Sequence, residues 1–411
     1  MLIEVNTVNQ PRINILGVAV RFLVPFVLAF SSLRGWMVLN LDLSPSLVYS
    51  FSSFLLICMS IYGFSLRLRF NSHQSILFRN ALKVNLLLGT LFLVVELILG
   101  SSISIASAYA FLLPFIVFLF FRTPAPSLYI AFFIIAIGIS FSVLSNFVVS
   151  LTGDAGYDYL IDYNLKLRPD VFQALSRTGE YFRAGGYTGS YHDSANILGM
   201  LGSYYLINGL VGRKLLGIAI GVLVISIMTL TQSTANIVLA LINCSLFTIY
   251  IVFRERSTFH FCLFMALASV LLFGSYYIPE LNIFTRRLGP GADYEGMLAA
   301  LSVDMLFSPF LWIGHGYAVE SAYIKTEVAL LKGFLELGVV HALLLNAILT
   351  YPLYLFMRNK SRDLFALPYL AAVVFGFISL VHYGSLFRST NIAVFYAMYA
   401  LAMMHVTNLK K

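Results

Sequence analysis

The sequence predicts an all-α polytopic membrane protein with about twelve transmembrane helices. Three observations predict it. Hydrophobic residues make up 60% of the 411 positions and charged residues 11%, against roughly 45–50% and about 25% in soluble domains. So few charges cannot clothe a water-facing surface, which excludes a soluble two-domain enzyme. The 36 Phe and 24 Tyr exclude a disordered chain, which needs low hydrophobicity. Second, the apolar positions gather in runs of ~20 residues, the length of a helix that crosses the hydrocarbon core. Third, Lys and Arg fall in short clusters at every second connection. That is the topological use of positive charge rather than a stripe that tracks phosphates, so the net charge of +8 does not indicate nucleic acid.

The runs span 13–33, 45–66, 82–100, 103–121, 127–151, 193–210, 213–231, 234–253, 258–278, 327–357, 363–382 and 388–407. The first follows a dozen polar residues and has no small-residue cleavage site, so it reads as a retained helix rather than a signal peptide. Pro352 in the longest run predicts a tilt or kink. Cys58, Cys244 and Cys262 lie inside runs without ligand spacing and read as small core residues, with neither a disulfide framework nor a metal site. The basic connections carry Arg12, Arg67/Arg69/Arg79, Arg122, Arg213/Lys214, Arg254/Arg256, Arg358/Lys360/Arg362 and Lys410/Lys411, which places both termini in the cytoplasm.

The organisation follows: a five-helix region (1–151), an outer loop (152–192), a four-helix region (193–278), a second outer loop (279–325) and a three-helix region (326–411). A transporter would carry charged midplane residues and two similar halves. Here the runs hold few ionisable groups beyond Arg21, Glu96, Glu336 and histidines, of which His341 and His382 read as interhelical hydrogen-bond partners. The chemistry is therefore expected at the outer membrane–water boundary.

The first outer loop ends in Arg177-Thr-Gly-Glu180-Tyr-Phe-Arg183-Ala-Gly-Gly-Tyr187-Thr-Gly-Ser-Tyr191-His192-Asp193-Ser-Ala-Asn196, directly before a run. Gly185, Gly186 and Gly189 permit tight turns. Asp193 or Ser194 is expected to cap a helix starting near Ala195, whose free N–H groups suit an anion. Arg177 and Arg183 add forked cationic donors matched to phosphate oxygens. Ordinary capping in a solvated loop would use the same residues. The second outer loop carries Arg286 and Arg287, a stretch with helical periodicity over 294–307 that predicts an interfacial helix, and Gly314-His315-Gly316-Tyr317. Arg286 and Arg287 read either as a second anion clamp or as residues snorkelling to lipid headgroups, and His315 as a turn residue first and a catalytic one second. Glu327, at the outer boundary, is a candidate general base, and Glu336 lies several residues deeper. No metal-ligand spacing, phosphate-binding glycine loop or nucleophile elbow occurs; Asp154 and Asp158, four apart, are too weak a signal for Ca²⁺ or Mg²⁺.

Segment 183–196, opening a span, resembles the corresponding motif of the bacterial O-antigen polymerase and O-antigen ligase superfamily. Leu230-Thr-Gln-Ser-Thr-Ala-Asn236 looks like the family's short polar turn. Arg287 with Leu298-Ala-Ala-Leu301 and Pro309-Phe-Leu-Trp-Ile-Gly314-His-Gly316 is similar to its next motif, and Thr326-Glu327 through Glu336-Leu-Gly338 to the last. The matches cover 183–340 in the family's order. The ligase branch carries a histidine where this chain has Glu327, which favours the polymerase branch and leaves the base open among Glu327, Asp193 and His192.

The resemblance implies a type C glycosyltransferase-like fold in the bacterial inner membrane. It implies transfer between undecaprenyl-pyrophosphate-linked glycan donor and acceptor at the periplasmic face, without metal or other cofactor. Arg183 and Arg287 would act on the donor pyrophosphate, with Arg177 and Arg286 assisting. Tyr187, Tyr191, Asn196, His315 and Tyr317 would bind substrate, and a chain-length regulator in the same membrane is an expected partner. The alternatives are an O-antigen ligase and a twelve-helix transporter or flippase.

Overall fold

Helix is the only regular structure among the described residues, as lipid demands: a backbone N–H or C=O without an internal partner costs several kcal/mol in hydrocarbon. The computed structural model describes residues 15–66, 73–98, 111–167, 184–231, 233–255, 312, 337–358, 363–379 and 391–407. The expected run 258–278, the interfacial helix at 294–307, His382 and Cys262 lie outside them.

Helix α1 (Ile15–Ser32) meets α2 (Arg34–Asn40) at an angle of 68°. Then come α3 (Pro45–Ser65), α4 (His73–Ile98), a 3₁₀ turn at Leu113–Phe115 running into α5 (Ile116–Phe120), α6 (Ala125–Ser150) and α7 (Asp154–Leu167). A second 3₁₀ turn, Gly186–Thr188, precedes α8 (Tyr191–Gly212), α9 (Leu215–Thr229) and α10 (Thr234–Glu255). The described chain closes with α11 (Val339–Arg358), α12 (Leu367–Ser379) and α13 (Asn391–Val406). Among the described residues five helices are long and apolar enough to cross a membrane, and the bent pair α1–α2 makes a sixth. The chain is a helical membrane protein. Its outward faces agree, since Phe26, Phe51, Phe54, Ile130, Phe141, Leu246 and Phe253 are exposed. In water such a surface would aggregate.

The centre is α8. A helix that is apolar all round belongs in an interior, and on α8 the buried positions circle the axis: Ala195, Ile197, Leu198, Leu201 and Ile207 are fully buried. It packs against α6, α9, α10 and α12. The α8–α9 hairpin is tight because glycines let backbones approach, as membrane interfaces require. A Cβ on Gly217 would come within 3.0 Å of the Gly209 Cα, and one on Gly209 would overlap the Ile218 backbone nitrogen. The turn closes with the Lys214 N–H donating to the Gly209 carbonyl at 2.8 Å and the Arg213 N–H to the Leu210 carbonyl at 3.2 Å. That is the Schellman pattern, with Arg213 in the left-handed region at φ 52°.

Polar side chains fasten the remaining helices. Asn243 donates to Ser203 Oγ at 3.2 Å and to the Ala371 carbonyl at 2.9 Å. The Tyr399 hydroxyl donates to the Ile348 carbonyl at 2.6 Å. His341 Nε2 meets Asn85 Oδ1 at 3.0 Å, the interhelical role expected of it. Cys244 is buried as expected, but Cys58 is exposed on the outward face of α3 rather than in the core. Its position on that helix, not its neighbours in sequence, decides which way it faces.

Two expected connections contain helices. Residues 34–40 form α2, and 154–167 form α7 within the expected outer loop 152–192. The expected single run 327–357 is interrupted at Gly338, φ 80°, so that α11 starts at Val339. Pro352 lies inside α11, which continues through it.

Side-chain contacts between helix ends fix which connections share an end of the bundle. Tyr129 lies by Tyr204 at 6.5 Å, while the far end of α6 meets the turn before α8. Tyr250 near the end of α10 meets Phe356 near the end of α11 at 6.0 Å. Arg122, Arg213, Lys214, Arg254 and Arg358 thus gather at one end of the bundle, opposite the start of α8. Replacing Gly209 with Val should cost about 1–3 kcal/mol through forced separation of α8 and α9. Gly212→Ala, whose Cβ comes no closer than 3.6 Å to the Lys214 side chain, should stay within about 0.5 kcal/mol of the parent. Unfolding in mixed detergent micelles measures both.

Candidate functional site

The end of the bundle opposite the basic connections is built around residues 184–196. Two left-handed glycines, Gly186 at φ 57° and Gly189 at φ 68°, bend the chain into the 3₁₀ turn. Space requires glycine at 186 as well, since a Cβ there would lie 2.5 Å from Ser142 Oγ. That hydroxyl accepts the Tyr187 N–H at 3.1 Å. Asn146, one helical turn further along α6, accepts the Gly186 N–H at 3.2 Å in the amide orientation that satisfies both its ends. Within the turn, the Thr188 hydroxyl donates to the Ser190 carbonyl at 2.7 Å and accepts the Ser190 N–H at 3.2 Å. The Ser194 hydroxyl donates to the Gly185 carbonyl at 2.6 Å. The buried hydroxyls of Ser142, Thr188 and Ser194 are thus all paired at the bend, which is what a turn at this depth needs.

The cap of α8 is Ser190, not Asp193 or Ser194. Ser190 is extended (φ −142°, ψ 123°) and its side chain accepts from the Asp193 N–H. The helix therefore begins at Tyr191, four residues earlier than Ala195. The sequence Ser-Tyr-His-Asp has the Ser-x-x-acid spacing of a capping motif, the signal that locates this start. Asp193 consequently sits inside the first turn, 6% exposed, where the helix dipole favours a carboxylate. Asn196, 2% exposed, follows three positions later and shares that face of the helix. Tyr191 and His192 are half-buried, with ring centroids 3.9 Å apart.

The start of α10 meets the start of α8. His192 Nδ1 lies 3.2 Å from Ser233 Oγ, and Asn236 Nδ2 donates to the same oxygen at 3.0 Å. Among the described residues, then, the structure brings Tyr187, Tyr191, His192, Asp193 and Asn196 to one place. The other expected site residues, Arg177, Arg183, Arg286, Arg287, His315, Tyr317 and Glu327, lie outside the described residues.

Aromatic groups border this place. Helix α7 turns Gly156, Leu160, Tyr163 and Leu167 inward at helical spacing and leaves Asp154, Asp158 and Asp162 exposed. Burial pushes the Tyr163 phenol well above its ordinary range, with Tyr187 and Tyr159 adding to the effect. Burial, then Tyr159, raises the Tyr187 phenol too. Both hydroxyls therefore stay neutral and able to donate. The Tyr49 hydroxyl donates to the Leu167 carbonyl at 2.8 Å, tying α3 to α7, and the Arg34 guanidinium stands 4.2 Å over the Tyr49 ring.

Sequence reasoning from the residues missed Ser142, Asn146, Tyr163 and Arg34 as neighbours of the site. A partial signal for the first two was present: they are polar and four apart in a largely apolar run, and so share a face.

The arrangement supplies a helix N-terminus, neutral phenols, an imidazole and a carboxylate at a bundle end, a set that suits a hydroxyl-rich or anionic ligand. No protein-family model matches the chain, and no curated protein matches it significantly. Ser190→Ala should cost about 1 kcal/mol by removing the cap and raise protease cleavage near residue 190, whereas Ser190→Asp, which keeps an acceptor, should restore most of it. Gly186→Ala should cost more than about 1 kcal/mol, since it adds a left-handed penalty to the contact with Ser142. Thermal unfolding in detergent ranks the three.

Proposed function

We propose that this protein is a polymerase of undecaprenyl-pyrophosphate-linked oligosaccharide repeats, working at the periplasmic face of the bacterial inner membrane. The observation that carries this reading is the meeting of two segments that resemble the O-antigen polymerase and ligase superfamily. Residues 183–196 and 230–236 join through the 3.2 Å contact of His192 with Ser233. The basic connections at the opposite end of the bundle support the orientation, with both termini cytoplasmic and about twelve spans in all.

The reaction needs little from the protein beyond positioning and charge. An acceptor hydroxyl oxygen bonds to the anomeric carbon of the donor glycan. The carbon–oxygen bond to pyrophosphate breaks, and its electron pair leaves on the phosphate oxygen. Pyrophosphate is already a good leaving group, so arginines can offset its developing charge, which is the role of Arg183 and Arg287, with Arg177 and Arg286 assisting. Tyr187, Tyr191, Asn196, His315 and Tyr317 hold the sugars. The acceptor proton goes to Asp193, Glu327 or His192. The polyprenyl tail lies among the spans, and a chain-length regulator is a fitting partner in the same membrane.

Deleting the gene should leave lipid A core bearing a single repeat. Bare core would instead assign a ligase, and an unchanged ladder of chain lengths would leave a transporter as the better reading. Arg183→Ala and Arg287→Ala should each lower polymerisation by about 10²–10³-fold with the protein still in the membrane, read from the polysaccharide ladder and a membrane immunoblot.

A further inference from the structure

We infer that the groove between the last turns of α10 and α11 binds the phosphate of an anionic glycerophospholipid, held by Arg254 and Arg358. This site lies at the end of the bundle away from residues 184–196 and does not rest on the polymerase reading.

The two helices meet just before both finish. The Tyr250 and Phe356 rings touch edge to face, with centroids 6.0 Å apart. Arg254 follows Tyr250 by one turn and Arg358 follows Phe356 by two residues, each in the last turn of its helix. Both arginines are exposed. Below them the groove is apolar: buried Phe356 and half-buried Tyr250 form its floor. Its walls face lipid, since Phe253 beside Arg254 is 79% exposed and Met357 beside Arg358 is 59% exposed. Two cations above a surface for acyl chains match a phospholipid, charged at the head and apolar below it.

A basic residue in a last turn also has a simpler use, which is to complement the helix's own terminal carbonyls. The placement of Arg358 goes beyond that. Its Nη1 donates to the Tyr354 hydroxyl at 3.1 Å, one turn back on the exposed side of α11. The guanidinium is thus drawn away from the carbonyl end and laid along the groove. One donor of its planar fork is spent there, and the others remain to meet phosphate oxygens. Among the described residues neither arginine has a carboxylate partner. Charge therefore selects the occupant: the pair favours a headgroup of net negative charge, such as that of phosphatidylglycerol, over a zwitterion whose ammonium it repels.

The test uses the full-length protein in dodecyl maltoside micelles, titrated with phosphatidylglycerol, phosphatidylcholine or inorganic phosphate. Native mass spectrometry counts bound lipid, and thermal unfolding follows stability. Phosphatidylglycerol should remain bound and raise the unfolding temperature; the other two should do neither. Arg254→Gln and Arg358→Gln should each weaken phosphatidylglycerol binding about 10-fold, and Tyr354→Phe, which keeps every charge, about 3-fold. Arg122→Gln removes a cation at the same end, between α5 and α6, and should leave binding unchanged. Equal stabilisation by phosphatidylcholine or by inorganic phosphate would overturn the assignment to an anionic lipid. A loss in Arg122→Gln as large as in Arg254→Gln would overturn the groove, since the whole basic end would then be the attractant. Should a glutamine variant fail to insert, Tyr354→Phe carries the test, and parental affinity in that variant would overturn the placement of Arg358 in the site.

Discussion

Everything in this structure depends on one requirement of the lipid solvent: a polar atom that enters it must bring its partner along. The requirement explains why the described chain is helical throughout, why Asn243 is spent on Ser203 and a carbonyl of a third helix, and why Tyr399 reaches a backbone oxygen. It also explains why the site stands where α8 begins. The first N–H groups of a helix have no intrahelical acceptor, so a buried helix can start only where side chains or a ligand complete it. Four helices press on α8 along its length, and that packing sets the position of its first turn. Tyr191, His192, Asp193 and Asn196 inherit that placement from the core, a better support for a reacting geometry than a free loop could give.

Composition made the solvent legible, and periodic runs of apolar residues located the helices Pro45–Ser65, Ala125–Ser150, Leu215–Thr229 and Thr234–Glu255 to within a few residues. Two kinds of error remained, and each has a physical cause. Helix α2 has only seven residues and α7 turns three aspartates outward, so neither shows as a separate apolar run of ~20 residues. In α7 the signal was the periodicity of Gly156, Leu160, Tyr163 and Leu167, hidden among aspartates. The cap of α8 was misplaced because three residues within five positions, Ser190, Asp193 and Ser194, can all cap. The choice was made by the glycine turn, whose left-handed residues put Ser190 in the extended conformation.

The site was legible as a segment and not as a neighbourhood. Glycines and capping residues pointed to 183–196 from sequence alone, yet Ser142, Asn146 and Tyr163 join it through the packing of α6 and α7, which no local pattern encodes. Ser233 stands between these cases. Its segment was marked only by family resemblance, and a contact with His192 across 41 positions gives that mark a chemical meaning.

The 68° bend between α1 and α2 has an effect beyond its own segment. It lays α2 across the bundle end so that Gly35 rests on the backbone carbonyl of Tyr187, where a Cβ would overlap that oxygen. The first span is thereby keyed into the turn that opens α8. In genetic terms, residue 35 and residue 187 are one locus. A side chain gained at the amino-terminal position displaces the same backbone that a lesion in the turn would disturb. The two kinds of allele would share a phenotype, although more than a hundred residues separate them along the chain.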